Sequence, residues 1–545
     1  MLGRFLSKFP EGYTPSKQQV KLIKSIEEAF DSGHKFVICS APTGSGKSFI
    51  SKTLANVSNE SSESFKELVS SYAAFKIDQT GTFLNEQECI DESPSGTFAL
   101  TITKTLQDQY KDLFDDTILL KGKSNYQSTI DPNMDVELES LVMPKKVLDD
   151  HRMRHKCNYH NDRRDALIKK FAALNYKMFL SLPNHVKYKD YIVCDEASEL
   201  EDEIIKQFSL SIDVVRLGRI GVKAYSLKST KPKTVLKWIG DLLLNVSERI
   251  SYIQERAKLG LSEKDTNRLH YLKNIHRTLC LIDETWQKCE YVVQVENKDN
   301  IKVTPLKVDS LTKYIFEYAD KILLMSATVI DHVNLAKTLG IERYKYVESA
   351  STFNPDKAPI YISQTNKLNH ANLPKALPSI IEQIRQICET HKEEKGIIHT
   401  HTNYITNYIQ GKVRDRSFES CRFLFRDELS RNEDILKHHE ESEEPTILVS
   451  PSLGLGIDLK DDLARFQIIV KASYLPLGDN RIKKMFEIDK QWYTNKMLSN
   501  FIQQCGRGIR SKDDHCVTYV LDATIFHAIM RNKNRLPKYF IERFV

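Results

Sequence analysis

Residues Ala41-Pro42-Thr43-Gly44-Ser45-Gly46-Lys47-Ser48 are of the types that cradle phosphate, and fit G-x-x-x-x-G-K-S with Ala in the first place. An apolar run, Phe36-Val37-Ile38-Cys39, precedes them and a helix-like segment, Phe49–Ala55, follows. In that setting small residues let backbone N–H groups converge on phosphate oxygens, and a helix N-terminus adds positive potential. Lys47 would reach the β- and γ-phosphates, and the Ser48 hydroxyl would ligate Mg²⁺. A second strand-like run, Ile192-Val193-Cys194, ends in Asp195-Glu196, suited to holding Mg²⁺ (Asp195) and to orienting and activating water (Glu196). Further on, Gln503-Gln504-Cys505-Gly506-Arg507-Gly508-Ile509-Arg510 spaces Arg507 and Arg510 to share one helical face. Two guanidinium groups there suit a transferring γ-phosphate. Together these residues describe binding and hydrolysis of a nucleoside triphosphate.

The elements that must position them alternate between β-type and helical. Lys35–Ser40, Thr97–Thr103, Tyr191–Cys194 and Lys321–Met325 read as buried parallel strands. A second series follows at Gly396–Thr400, Arg422–Phe425, Thr446–Val449, Phe466–Val470 and Val517–Leu521. This alternation predicts an α/β protein with two doubly wound parallel sheets. Three stretches interrupt it: Ser58–Ser64, expected as an exposed loop; the basic, irregular Lys121–Lys170; and Glu199–Leu281, with helical periodicity. The acidic Glu440–Glu444 is expected as a solvated turn, and Arg531–Lys538 as a solvated basic tail. The three tryptophans, Trp238, Trp286 and Trp492, are expected in cores.

With 545 residues the chain exceeds what one core can organise. No apolar run reaches the ~20 residues of a membrane span, and the first residues lack a signal-peptide core, so a cytoplasmic setting is the expectation. Ten cysteines occur without a C-x-x-C pair, which favours free thiols. The balance of 79 basic to 73 acidic residues permits a polyanionic partner.

In order, the motifs resemble those of superfamily 2 helicases, and within these the DinG/XPD-like branch. Ala41–Ser48 is similar to motif I, and Gln19 in Tyr13-Thr14-Pro15-Ser16-Lys17-Gln18-Gln19 stands where that branch keeps an upstream Gln. Thr101–Gln109 resembles motif Ia, and Leu120–Tyr126, Cys157-Asn158-Tyr159 and Asn175-Tyr176 continue the likeness. Leu323–Thr328, Gly454-Leu455-Gly456-Ile457-Asp458 and Gln503–Arg510 resemble motifs III, V and VI, and His401-Thr402 resembles motif IV. The resemblance implies two RecA-like P-loop domains with ATP between them, the first carrying a cluster-domain insert and a helical arch-like insert. Residues 1–120, 171–198 and 300–340 would form the first motor domain, 121–170 the basic insert at the iron–sulfur position, 199–299 the arch-like insert and 341–545 the second motor domain. It implies ATP contacts from Gln19, Thr43, Gly44, Ser45, Gly46, Lys47, Ser48, Gly456 and Asp458. Catalysis would fall to Lys47, Asp195, Glu196, Gln503, Arg507 and Arg510, with Ser48 and Asp195 on Mg²⁺. Coupling falls to Ser198, Ser326, Ala327 and Thr328, and DNA contacts to Thr103, Lys104, Lys123, Arg163, Arg164, His401 and Thr402.

Two departures stand out. Relatives hold a 4Fe–4S cluster on four cysteines, whereas here Ser128 occupies the first position, Cys157 the last, and no Cys lies between. No cluster is therefore expected. His151, His155, Cys157 and His160 could instead offer zinc an N₃S set, but the interleaved Arg152, Arg154, Lys156, Arg163 and Arg164 favour a DNA-facing basic surface. Ser198 stands where the branch has His, which bears on coupling rather than hydrolysis. The shortened inserts and missing cysteines suggest a phage or viral relative. The expected partner is single-stranded and forked DNA, with the protein acting as a monomer, off the membrane, moving 5′→3′ with ATP and Mg²⁺. An RNA helicase, a translocase that separates no strands and an ATP-gated DNA-binding scaffold are the alternatives.

Overall fold

The computed structural model describes residues 3–545 except 43, 62, 64–65, 67–94, 155, 183, 258–261, 350–353, 364–366, 370, 415–422, 426–431, 452–458, 460 and 509–513. The first strands are β1 (Phe36–Ser40), β2 (Thr97–Thr101), β3 (Ile118–Leu120), β4 (Phe171–Asn175) and β5 (Lys189–Asp195). A small insert sheet follows: β6 (Leu210–Asp213), β7 (Tyr291–Glu296) and β8 (Asn300–Pro305). The chain then forms β9 (Ala319–Ser326) and β10 (Tyr344–Glu348). The last series is β11 (Ile360–Ile362), β12 (Gly396–His399), β13 (Phe423–Phe425), β14 (Ile447–Ser450), β15 (Phe466–Ile469) and β16 (Val517–Val520).

These strands build two parallel sheets, ordered β10-β1-β9-β5-β2-β4-β3 and β11-β16-β15-β12-β14-β13. The α/β architecture with two parallel sheets is as the sequence predicts, and every strand expected from an apolar run is present. Burial on both faces explains the unbroken apolar character of β1, β5 and β9, since helices cover parallel sheets on both sides. Register aligns the ends that matter. Ser40 pairs with Ser326, and Asp195 with Met325, so the loops after β1, β5 and β9 emerge side by side at the carboxyl edge.

Several expectations need correction. Tyr344–Glu348 pairs with β1, so the first sheet continues past residue 340. Asn300–Pro305, placed by the sequence in a motor domain, instead pairs antiparallel with β6 and β7 in the insert. The insert is thus a helical hairpin, Pro232–Ala257 and Glu263–Thr285, packed on a three-stranded sheet, and Trp238 lies in its core. Ser58 and Ser61 are buried rather than exposed, because their hydroxyls bond Thr97 (2.8 Å) and Ser95 (2.7 Å).

The insert sheet also reaches the second parallel domain. Val292 and Leu306 pack with Met485, Trp492 and Tyr493 in one apolar cluster, and Lys302 pairs with Asp479 at 2.6 Å. Asp479 caps the helix Asn480–Ile488, and Asp489 caps the helix Lys490–Cys505, each accepting backbone N–H bonds that the first turn would otherwise leave unmade.

Candidate nucleotide and coupling site

The loop after β1 turns through left-handed Gly44 (φ +74°) and Gly46 (φ +81°) into the helix Lys47–Val57. A Cβ at Gly46 would displace the side-chain amide of Gln19, and φ +81° strains any residue but glycine there. Gln19 is itself fixed by a reciprocal cap: Ser16 N–H donates to its side-chain oxygen (2.8 Å), while Ser16 Oγ accepts its backbone N–H (3.2 Å). The S-x-x-Q spacing signals this cap in the sequence, and it brings Gln19 to the phosphate loop. Among the described residues the buried Ser45 hydroxyl has no hydrogen-bond partner, which suits a site that binds an oxyanion. Thr43 lies outside the described residues.

Lys47 Nζ donates to Glu196 Oε1 at 2.7 Å and lies 4.0 Å from Asp195 Oδ1. Burial alone would lower the Lys47 pKa, but the two carboxylates outweigh it and hold the ammonium charged. Burial raises the Asp195 carboxyl, Lys47 opposes that rise, and Glu196 adds to it. A divalent cation would relieve this electrostatic cost, and the Ser48 hydroxyl, in the first turn of the helix Lys47–Val57, supplies a second hard oxygen. These residues therefore fit Mg²⁺ with a nucleotide phosphate. Glu196 sits at φ +52°, a strained setting for a non-glycine residue that turns its carboxylate across the end of the sheet.

From Glu196 a chain of hydroxyls runs through the residues expected to couple. Ser326 donates to Glu196 Oε2 at 3.1 Å, and Ser198 Oγ lies 2.9 Å from both Ser326 Oγ and Thr328 Oγ1. Ser198 thus fills the place of the expected His by joining this network. Ala327 lends its carbonyl, which accepts from the Tyr539 hydroxyl at 2.7 Å.

The second domain brings its motif through the helix Lys490–Cys505. Gln503 Nε2 donates to Glu199 at 3.0 Å, and Arg507 is buried beside His399, whose imidazole is held down to about 4 by burial and by that guanidinium. Gly508 is required by close approach, since a Cβ there would meet Cys516 Sγ at 2.5 Å. Gly456, Asp458 and Arg510 lie outside the described residues. Nothing in the sequence pointed to the contacts around Glu201, just after the Asp-Glu motif. Its buried carboxylate accepts from Arg481 (2.6 Å), Trp492 Nε1 (2.9 Å) and Lys496 (3.0 Å), all from the second domain.

The expected nucleic-acid residues divide. Thr103 caps the helix Lys104–Leu113, and Lys104 bonds Asn125. Lys123 lies over the Tyr159 ring. His401 (φ +65°) and Thr402 follow β12, Thr402 accepting from Ile405 N–H at 3.3 Å. Arg163 is buried, at 5% exposure, and so is not presented to a phosphate backbone; Arg152 is buried too. Arg164 pairs with Asp165 at 2.8 Å, so its charge is partly compensated within the protein.

In the basic insert, Ser128 Oγ accepts N–H bonds from Ile130 (3.1 Å) and Asp131 (3.0 Å), closing a turn where a relative's first cysteine would stand. Cys157 is the one thiol of that insert, and burial raises its pKa. One thiol and an occupied serine do not fit a 4Fe–4S cluster, which takes four thiolates. Among the described residues no three His, Cys, Asp or Glu side chains converge on a metal position, and His151 bonds Thr129 at 3.0 Å.

Fold and site together define an α/β protein of two parallel-sheet domains, with a glycine-turned loop and an Asp-Glu pair at the carboxyl edge of the first sheet. Residues 384–542 match the Helicase C-terminal domain family. Among solved structures, an XPD helicase matches with a TM-score of 0.61 and 16% identity, covering 96% of this chain and 98% of its own. An apo XPD structure matches at 0.56 and 15% identity, covering 94% and 98%. Xpd4 of S. tokodaii matches at 0.54 and 13% identity, covering 97% and 100%. No curated protein matches the sequence. The resemblance to DinG/XPD-like helicases is borne out: the fold is that of XPD helicases over nearly the whole chain, and the second motor domain carries a helicase family signature. None of these matches bears on a phage or viral origin. Among the described residues no helix is long and apolar enough to cross a membrane.

Proposed function

We propose that this protein is an ATP-dependent DNA helicase that moves 5′→3′ along a single strand and separates duplex at forks. The observation that carries this reading is the Lys47–Glu196–Ser326 chain at the shared edge of β1, β5 and β9, which ties a phosphate-binding lysine to a water-activating carboxylate and to motif III. Lys47 leaves Glu196 for the β- and γ-phosphates when a nucleotide enters, and the freed carboxylate then orients the attacking water and takes its proton. Ser48 and Asp195 would hold Mg²⁺, which supplies charge neutralisation at the phosphate oxygens. Arg507, with Arg510, stabilises charge on the transferring group from the second domain. Gln19 fixes the loop end, and the loop after β12 with Thr103, Lys104 and Lys123 follows the nucleic-acid backbone. Closure on ATP and reopening after hydrolysis would move the two domains along a strand.

The test is ATP turnover, with and without single-stranded DNA or RNA, alongside strand displacement on duplexes with a 5′ or a 3′ tail. DNA-stimulated turnover with displacement from the 5′ tail is expected. Lys47→Ala should abolish turnover, and Glu196→Gln should retain ATP binding while stalling hydrolysis. Stimulation by RNA alone, or turnover without displacement, would replace this reading with an RNA helicase or a translocase.

A further inference from the structure

Arg531–Lys538, expected as a solvated tail, opens a clasp. After the helix Ala523–Asn532 the chain folds into a short helix, Lys538–Ile541, and buries Leu536 and Phe540. Their apolar cluster holds Phe501, Ile502 and Cys505 from the helix that leads into motif VI, together with Ile330 from the loop after motif III. Three polar contacts extend the same bridge. Arg535 meets Asp331 at 3.4 Å, Tyr539 donates to the Ala327 carbonyl at 2.7 Å, and Arg543 donates to the Cys505 carbonyl at 3.1 Å. One segment of the second domain therefore touches motif III of the first and the end of its own motif VI helix.

Tyr539 holds the central position. Its acceptor, Ala327, lies between Ser326 and Thr328, and those two hydroxyls with Ser198 form the network that ends on Glu196. Its ring is half-buried, and its hydroxyl reaches the Ala327 carbonyl at the inner end of the bridge. The Ser326–Thr328 turn therefore lies between this hydrogen bond and the carboxylate.

We propose that Tyr539 is a positioning residue for hydrolysis, holding the motif III turn, and through it Glu196, in a geometry set by the second domain. Because this rests on the ATPase reading, Tyr539 transmits nucleic-acid binding to turnover and takes no part in binding nucleotide.

The experiment compares wild type and Tyr539→Phe, which keeps the packed ring and removes the hydroxyl, in ATPase assays with and without single-stranded DNA. Expected are an unchanged KM for ATP, basal turnover within about twofold, and DNA-stimulated kcat lower by about threefold to tenfold, the effect of losing one net hydrogen bond. Combining Tyr539→Phe with Ser198→Ala should cost less than the two separate losses multiplied, because both act through one turn. Arg535→Gln, at a half-exposed contact on the same bridge, should lower stimulation in the same direction by a smaller factor. Undiminished stimulation in Tyr539→Phe and Arg535→Gln overturns the inference, as does an equal fall in basal and stimulated turnover, which packing alone would give. A wild-type chain without ATP turnover would overturn the functional reading and this inference with it; the two failures are distinct.

Discussion

Replacing Glu201 by Gln should weaken the junction between the two motor domains far more than its distance from the nucleotide loop suggests. The carboxylate is 2% exposed and faces two cations and an indole N–H. Gln keeps the volume and one acceptor oxygen but leaves Arg481 and Lys496 without its charge. Removing one partner from a buried ion pair costs about 3–5 kcal/mol. Lys496 retains Asp202 at 2.9 Å, and that carboxylate is 39% exposed, so its charge remains partly compensated. Arg481 retains its bond to the Pro305 carbonyl at 3.0 Å, which places the loss at the lower end, about 3 kcal/mol. For a unit the size of one motor domain this corresponds to a fall of about 6–12 °C in the melting midpoint. Trp492 donates directly to Glu201, so its emission reports the event locally, and the single melt should divide as the domains uncouple. Glu382→Gln serves as control, because the Glu382–Arg385 pair lies in solvent, where screening leaves an ion pair little effect on stability. A shift for Glu201→Gln no larger than that of the control would refute the assignment of this cluster as the anchor of the interface.

Two further outcomes follow from the same geometry. Gly46→Ala should cost at least tenfold in nucleotide affinity, read by equilibrium binding of a labelled nucleotide, because a Cβ there strains φ +81° and displaces Gln19. Acid should loosen the junction. Glu201, Asp479 and Asp489 are all buried enough to be raised, yet Lys496 and Arg481, Lys302, and the Trp492 N–H with Lys337 respectively bring each below its ordinary value. Their stabilisation is therefore complete above the unfolded values of 4.5 (Glu) and 3.8 (Asp) and disappears as pH falls through the lower folded ones. Melting midpoints should be flat near neutrality and fall below about pH 4.5, and a steep loss between pH 7 and 6 would contradict this.

What could be read from the chain had local causes. A phosphate loop demands small residues before Lys47, and a buried parallel strand demands an unbroken apolar run, so β1, β5, β9 and the Asp195-Glu196 motif announce themselves. Strand β10 does not, because Tyr344-Lys345-Tyr346-Val347-Glu348 is an edge strand whose charged residues face outward. The insert sheet was hidden for a related reason: β7 is half-buried, and its neighbours in sequence are long amphipathic helices. Glu201 sits in the acidic run Glu199-Leu200-Glu201-Asp202-Glu203, and solvated acidic runs look the same. Only folding, which brings in Arg481 and Lys496 from far along the chain, singles out this carboxylate from its acidic neighbours.

The helix Lys490–Cys505 explains why those remote residues bear on chemistry. Trp492 and Lys496, near its start, are fixed on Glu201, while Gln503, near its end, reaches Glu199, and Arg507 follows directly. A helix is stiff along its axis, so an anchor at one end sets where the other end points. Glu199 and Glu201 flank Leu200 at the start of the helix that follows Glu196, so both contacts bear on one rigid element of the first domain. The Glu201 cluster is buried and charged, and separating it carries the cost estimated above. The Tyr539 contact is a neutral hydrogen bond worth about 1 kcal/mol, and the Gln503 contact, a single donor to a carboxylate, is worth about 1.5–3 kcal/mol. When the domains move, the cheap contacts yield before the expensive one. The Glu201 cluster is thus the firmest tie between the two parallel-sheet domains, and the contacts of Tyr539 and Gln503 are those a displacement would break first.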